Sequence, residues 1–133
     1  MNGTRSENVE ILRNTYEAFS RGDIPAVLSN FDPDIIWIVP DAHPQGGTHR
    51  GSDAVLTGVF AKLGGDWQDY KVETEEFIDG GDRVVVLGTE SGTWPPTGKS
   101  FRAAFAHVWT MRSGKAIEFR DYQDSAKVQE AVS

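Results

Sequence analysis

A histidine set in a row of aromatic residues is the group in this chain best placed to do chemistry. In the run Phe101 to Met111, the residues Phe101, Ala103, Phe105, His107, Trp109 and Met111 recur at every second position, so an extended chain carries them on one face. A titratable imidazole then sits inside an apolar wall, where it can take or give a proton near neutral pH. The next run, Lys115 to Asp124, follows a Ser113-Gly114 turn and brings Asp121, Tyr122 and Asp124. The two runs should pair antiparallel, so that a few polar groups converge on an apolar wall, as in a small-molecule pocket. Asp121 then stands beside His107 as a candidate acid, its charged form disfavoured by desolvation in an apolar setting. A β-bulge would instead turn Asp121 outward to pair with Arg120 or Arg102. His107 then either holds the acid ionised, acts as the base, or is a core histidine with its hydrogen bonds met locally.

Other polar residues compete for the same roles. Glu90 shares a face with Val84 and Val86; if that face is the inner one, Glu90 replaces Asp121 as the leading acid, since a carboxylate there needs a partner. Asp124 precedes Ser125 and reads as an N-cap, while Tyr122 either lines the site or packs. His49 lies in a Gly-rich loop that would close a pocket mouth or stand in solvent, and His43, beside Pro44, carries no signal. The three histidines are scattered and no Asp/Glu cluster resembles a hard-cation loop, so neither metal nor cofactor is expected. Phosphate-binding glycine motifs and nucleophile elbows are absent.

These residues need elements to position them. Thr4 and Glu7 suit a capping box for a first helix in which Val9, Leu12, Tyr16 and Phe19 form one stripe, ended by Arg21-Gly22. Asp23 caps a short second helix with Pro25 in its first turn and Val27, Leu28 and Phe31 inward. Asp32-Pro33 turns the chain into a strand, Ile35 to Val39, and Asp41 to Gly51 reads as a loop. Ser52 caps a third helix, with Val55, Leu56, Val59, Phe60 and Leu63 inward and Gly64-Gly65 as its stop. Strands follow from Trp67 to Ile78 and from Arg83 to Thr93 about an Asp79-Gly80-Gly81-Asp82 hairpin, and a last helix spans Ser125 to Val132. Helices first and antiparallel strands afterwards predict an α+β fold. Val84 to Leu87 are apolar without a break, so that strand should be covered on both faces, by helices and by a second subunit. Glu73, Glu75 and Glu76 mark a solvated face or a protected edge.

Composition bounds the partners. At 133 residues, 38% hydrophobic and 11% aromatic, the chain reads as one globular domain over residues 1–133. Its formal charge of −7 opposes binding to nucleic acid or to anionic membrane surfaces. Without cysteine it has no disulfide, thiol nucleophile or thiolate metal site. The polar N-terminal stretch has no apolar run like that of a signal peptide, so the cytoplasm is the expected location.

Several stretches, in order, resemble the SnoaL-like branch of the nuclear transport factor 2-like superfamily: Tyr16 to Asp23, Asp34 to Trp37, Gly47 to Gly51, Gly80 to Val84, Thr97 to Lys99, His107 to Trp109, Gly114-Lys115 and Tyr122 to Asp124. The resemblance implies a cone-shaped α+β barrel, in which a curved antiparallel sheet wraps around three N-terminal helices and encloses a ligand cavity. It also implies a homodimer formed through the outer face of the sheet. In such a cone Phe105, His107, Trp109, Phe119 and Asp121 line the cavity, with Trp37 from the first strand and Tyr16, Phe19 and Phe60 from the helices. The family's ketosteroid isomerases place an Asp base on the first strand, and Ile35 to Val39 holds no carboxylate. Its limonene epoxide hydrolases use an Asp-Arg-Asp set, and Arg102 and Arg120 alternate away from the aromatic face. Two classes of function remain. One is a binding domain that holds a hydrophobic small molecule in an aromatic cavity; the other is a polyketide cyclase-like or isomerase-like enzyme using His107 and Asp121 for proton transfer on a carbonyl-bearing substrate. A pure dimerisation module would instead fill the cavity with its own side chains.

Overall fold

A computed structural model describes residues 7–133. The elements run α1 (Glu7–Ser20), α2 (Ile24–Leu28), β1 (Phe31–Val39), β2 (Gly47–Arg50), α3 (Ser52–Val55), a π-helical turn (Leu56–Phe60), α4 (Ala61–Asp66), β3 (Gln68–Gly80), β4 (Arg83–Trp94), β5 (Lys99–Arg112), β6 (Lys115–Gln123) and α5 (Ser125–Val132). Thr4, and with it the expected capping box, lies outside the described residues.

The helices follow from their apolar spacing, with local differences from the expected boundaries. Val9 and Leu12 of α1 are buried, and Tyr16 and Phe19 pack against the core from the same stripe. The Asp23 side chain accepts from the Ala26 N–H and caps α2. That helix stops at Leu28, so Phe31 lies not on its inner side but at the start of β1, paired with Ala116. Ser52 is the first helical residue and does not cap; Gly51, at φ 92°, stands at the cap position without a side-chain bond. Gly64 and Gly65 lie within α4, and the chain becomes extended only at Trp67, whose ring is buried. Asp124 occupies the position before α5 but its side chain makes no capping bond.

The strands form one six-stranded sheet in the order β2-β1-β6-β5-β4-β3, curved and unclosed. β1 pairs parallel with β6, and every other neighbouring pair is antiparallel. The stretch expected as a loop between β1 and α3 contains β2, which extends the sheet by pairing Trp37 with His49. At the β5–β6 turn Ser113 and Gly114 both have positive φ, the geometry of a two-residue hairpin. At the opposite edge, β3 carries exposed Glu73, Glu75 and Glu76, charges that keep a free edge from pairing with other chains. Helices α1 and α4 pack on β3, α3 on β1 and α5 on β5. The concave face is wide, and Val84, Val86, Phe105, Trp109, Ala116 and Phe119 are buried on it. No helix among the described residues is long and apolar enough to cross a membrane.

Gly88 joins this framework to the site. A Cβ there would lie 2.1 Å from the Glu73 carbonyl oxygen and 2.6 Å from the Phe105 ring, and that ring stacks on His107 with centroids 3.7 Å apart. Gly88→Ala is therefore predicted to destabilise the protein by about 1–3 kcal/mol through overpacking against backbone. Urea unfolding measures it; an unchanged midpoint would show that β3 and β4 part without strain.

Candidate functional site

The cavity lies between the concave face and the helices and holds about 590 Å³ of empty space, part of it open to solvent. Its walls are mostly apolar: Phe19, Phe31, Trp37, Phe60, Trp109 and Phe119 line it. The Trp37 and Phe119 rings stack at 3.7 Å because β1 and β6 place them directly opposite. Three residues expected to line it lie elsewhere. Tyr122 follows inward-facing Asp121, so the period of the strand turns it out, 55% exposed. His49 bonds the Gln45 carbonyl at 2.9 Å and sits against Gly58, away from the cavity. Phe105 lies behind His107 as a stacking support. The other expected residues, Tyr16, Phe19, Trp37, Phe60, Glu90, His107, Trp109, Phe119 and Asp121, all reach the cavity.

Three adjacent strands bring the charged groups together. His107 of β5 faces Asp121 of β6 directly in register, and Glu90 of β4 shares the inner face four residues beyond Val86, the partner of His107. All three are buried. His107 Nε2 lies 3.1 Å from Glu90 Oε1 in a hydrogen bond and 3.4 Å from Asp121 Oδ1 as an ion pair. Glu90 Oε2 accepts from the Tyr70 hydroxyl at 3.0 Å, and Gln123 donates to Asp121 Oδ2. Asp121 Oδ1 alone among these four carboxylate oxygens accepts no hydrogen bond from the described residues. Asp121 and Glu90 both point in, so the condition under which Glu90 would replace Asp121 is met; bonds from His107 and Tyr70 occupy both Glu90 oxygens, however, and leave Asp121 Oδ1 as the carboxylate oxygen open to a ligand.

Beyond the imidazole, His107 Nδ1 is 2.6 Å from the Tyr16 hydroxyl, which also accepts from Trp109 Nε1 at 2.9 Å. Burial alone would pull the His107 pKa down, but close contact with Asp121 and Glu90 outweighs it and raises the value to about 9. The ring is therefore protonated at neutral pH. Burial pushes Glu90 up, and the bond from His107 works against that rise. Burial also pushes the Tyr16 and Tyr70 hydroxyls well above their ordinary range, so both remain O–H donors. One imidazole nitrogen and two carboxylate oxygens here lie within 4.8 Å of one another, a set that a divalent cation could occupy as well as a proton. Inspection for metal-ligand spacing missed it, because the three residues meet only across a sheet.

A second polar group was also missed. His43 and Gln45, from the β1–β2 connection, are buried and line the cavity with Tyr70 of β3. His43 Nε2 lies 3.2 Å from the Tyr70 hydroxyl, and its Nδ1 accepts from the Gln45 backbone N–H. Burial lowers the His43 pKa to about 4, with the Asp121 charge partly opposing. No signal in the linear sequence marks these residues: a Pro-rich loop gives no periodicity from which to read a facing direction.

The two histidines give opposite linkage signs. His107 titrates above its ordinary 6.5, so its stabilisation is complete below pH 6.5, declines as pH rises and is gone above about 9. His43 titrates below 6.5, so its stabilisation is present above that pH and is lost as pH falls toward about 4. NMR titration of the imidazoles is predicted to show these two midpoints, and His107→Gln is predicted to remove the alkaline decline in melting temperature. An alkaline decline that survives in His107→Gln would assign it to another group.

The SnoaL-like domain family matches residues 12–119, and the chain belongs to that family. An NTF2-like protein of Burkholderia thailandensis superposes with a TM-score of 0.92 at 34% identity, covering 98% of this chain and 99% of that one. TerC, co-crystallised with polyporic acid, superposes with a TM-score of 0.81 at 35% identity over 96% of this chain and 98% of TerC. An uncharacterised protein of Mycobacterium tuberculosis is 36% identical over 53 residues, a stretch spanning 40% of each chain.

Proposed function

We propose that this SnoaL-like domain binds a flat, apolar, carbonyl-bearing small molecule in its aromatic cavity and moves a proton on it. The observation that carries the reading is Asp121 Oδ1: buried, accepting no hydrogen bond among the described residues, and 3.4 Å from the His107 imidazole in the cavity wall. Burying two carboxylates beside one imidazole is costly, and such a cluster in a cleft is a signature of function. The co-crystallisation of the related TerC with polyporic acid supports a small-molecule ligand.

The groups divide the work. Asp121 takes a proton from a carbon next to the carbonyl; the C–H electron pair moves into the conjugated system, and the carbonyl oxygen gains the charge of an enolate. Returning the proton to another carbon gives isomerisation; attack of the enolate carbon on a second carbonyl carbon of the same molecule, with the proton passed to that carbonyl's oxygen, gives ring closure, and neither consumes a co-reactant. Glu90, bonded by Tyr70 and His107, holds the imidazole in place. With His107 protonated, its Nδ1–H and the Trp109 N–H both donate to the Tyr16 oxygen. The Tyr16 hydrogen is then free to meet the enolate oxygen, where a donor contributes most.

The test is hydrogen–deuterium exchange of β-tetralone in D₂O, followed by NMR. The wild type should accelerate exchange next to the carbonyl, and Asp121→Asn should slow it by about 10²-fold or more while β-tetralone affinity stays within a few-fold. Exchange untouched by Asp121→Asn would remove Asp121 from the chemistry. Binding without exchange in the wild type would leave a carrier or sensor domain, the second reading, which the apolar character of the walls favours.

The assembly belongs to the same proposal. On the outer face, Ile78, Val85 and Val108 lie side by side across β3, β4 and β5, and Leu87, Ala106 and Tyr122 across β4, β5 and β6. A contiguous apolar patch of this kind marks an interface, and a second copy covering it would make the homodimer. Sedimentation equilibrium should give a dimer for the wild type and a shift toward monomer for Tyr122→Glu, whose exposed position leaves the fold intact; a monomeric wild type would overturn this arrangement. The acidic surface and lack of cysteine fit residence in the cytoplasm.

A further inference from the structure

We infer that Gln45 is a recognition residue for a second ligand oxygen, so that the substrate of the proposed reaction carries two acceptor oxygens on one flat framework, as a quinone or other conjugated dicarbonyl does. The inference rests on the proposed use of the cavity and adds to it the class of molecule that fits.

The orientation of the Gln45 amide follows from its partner. Trp67 Nε1 lies 3.3 Å from Gln45 Oε1, and an indole N–H can only donate, so the oxygen of the amide must face it. The amide nitrogen then points the other way, and it has no hydrogen-bond partner among the described residues although Gln45 is only 2% exposed and lines the cavity. A buried donor left unmet carries a desolvation penalty, which a ligand acceptor relieves.

The neighbouring polar hydrogens are all committed. The Gln45 backbone N–H donates to His43 Nδ1, which leaves the neutral ring its hydrogen on Nε2. That hydrogen goes to the Tyr70 oxygen, because Tyr70 gives its own to Glu90. Within this group the Gln45 side-chain N–H pair is what remains, so the complementary ligand atom is an acceptor such as C=O. Tyr16 serves the other oxygen from α1, separated from Gln45 by the bonded series His107, Glu90, Tyr70 and His43.

Naphthoquinone and α-tetralone, two and one carbonyl on similar bicyclic frameworks, separate the possibilities by ligand-observed NMR titration. The wild type should bind naphthoquinone about tenfold more tightly. Gln45→Met, close in volume, should bring that ratio near one and leave α-tetralone affinity unchanged. In case Gln45→Met does not fold, the wild-type protein gives an independent readout: the Gln45 side-chain amide proton should move downfield with naphthoquinone. Equal affinities in the wild type, a ratio retained in Gln45→Met, or an unmoved amide would each overturn the assignment while leaving the cavity reading in place. Failure of both probes to bind the wild type would instead sink the cavity reading, and this assignment with it.

Discussion

A single imidazole held between two carboxylates away from water sets the terms for much of this molecule. Desolvation of that many ionisable groups is unfavourable unless each is paired or bonded, and the surrounding residues supply the pairing. Tyr70 bonds one carboxylate, Gln123 the other, and Tyr16 the far side of the ring. Phe105 stacks beneath the imidazole and rests on a position where only glycine leaves room. The cluster therefore draws on α1, β3, β4, β5 and β6 at once, and its geometry is tied to the curvature that brings those elements together.

The curvature also explains why a chain of this size has a cavity rather than a filled core. A sheet that bends around a few short helices presents a concave face broader than the helices can cover. Large aromatic residues line that face without closing it. Polar groups in such a wall are few, and each is fixed by a neighbour, so the site is held in shape before any ligand arrives. Preorganisation of this kind is what electrostatic assistance of a reaction requires.

How much of this could be read from the sequence depended on whether the signal was local. The stripe of α1, the period-two face of β5 and the Ser113-Gly114 turn are local patterns, and together they placed His107, Trp109 and Asp121 on one wall. Family resemblance supplied the cone and the approach of Tyr16 and Trp37. The parallel pairing of β1 with β6 joins distant parts of the chain and leaves no local trace. His43, Gln45 and Tyr70 enter from an irregular connection and an edge strand, where neither a period nor a cap indicates direction. Tyr122 shows the reverse error: it stands next to a correctly placed residue, and in a strand adjacency means the opposite face.

The π-helical turn at Leu56–Phe60 holds a further consequence. A turn of that type contains one residue more than an α-helical turn, and it lets Val59 and Phe60, neighbours in sequence, both face the cavity. Removing one residue from this segment would restore ordinary helical pitch and swing the following side chains by roughly a quarter turn or more. Loss of a single codon could thus reshape the cavity roof while the sheet and its buried charges stayed as they are. The helical roof and the charged wall are separable inheritances, and a lineage could exchange one kind of ligand for another by altering the first and keeping the second.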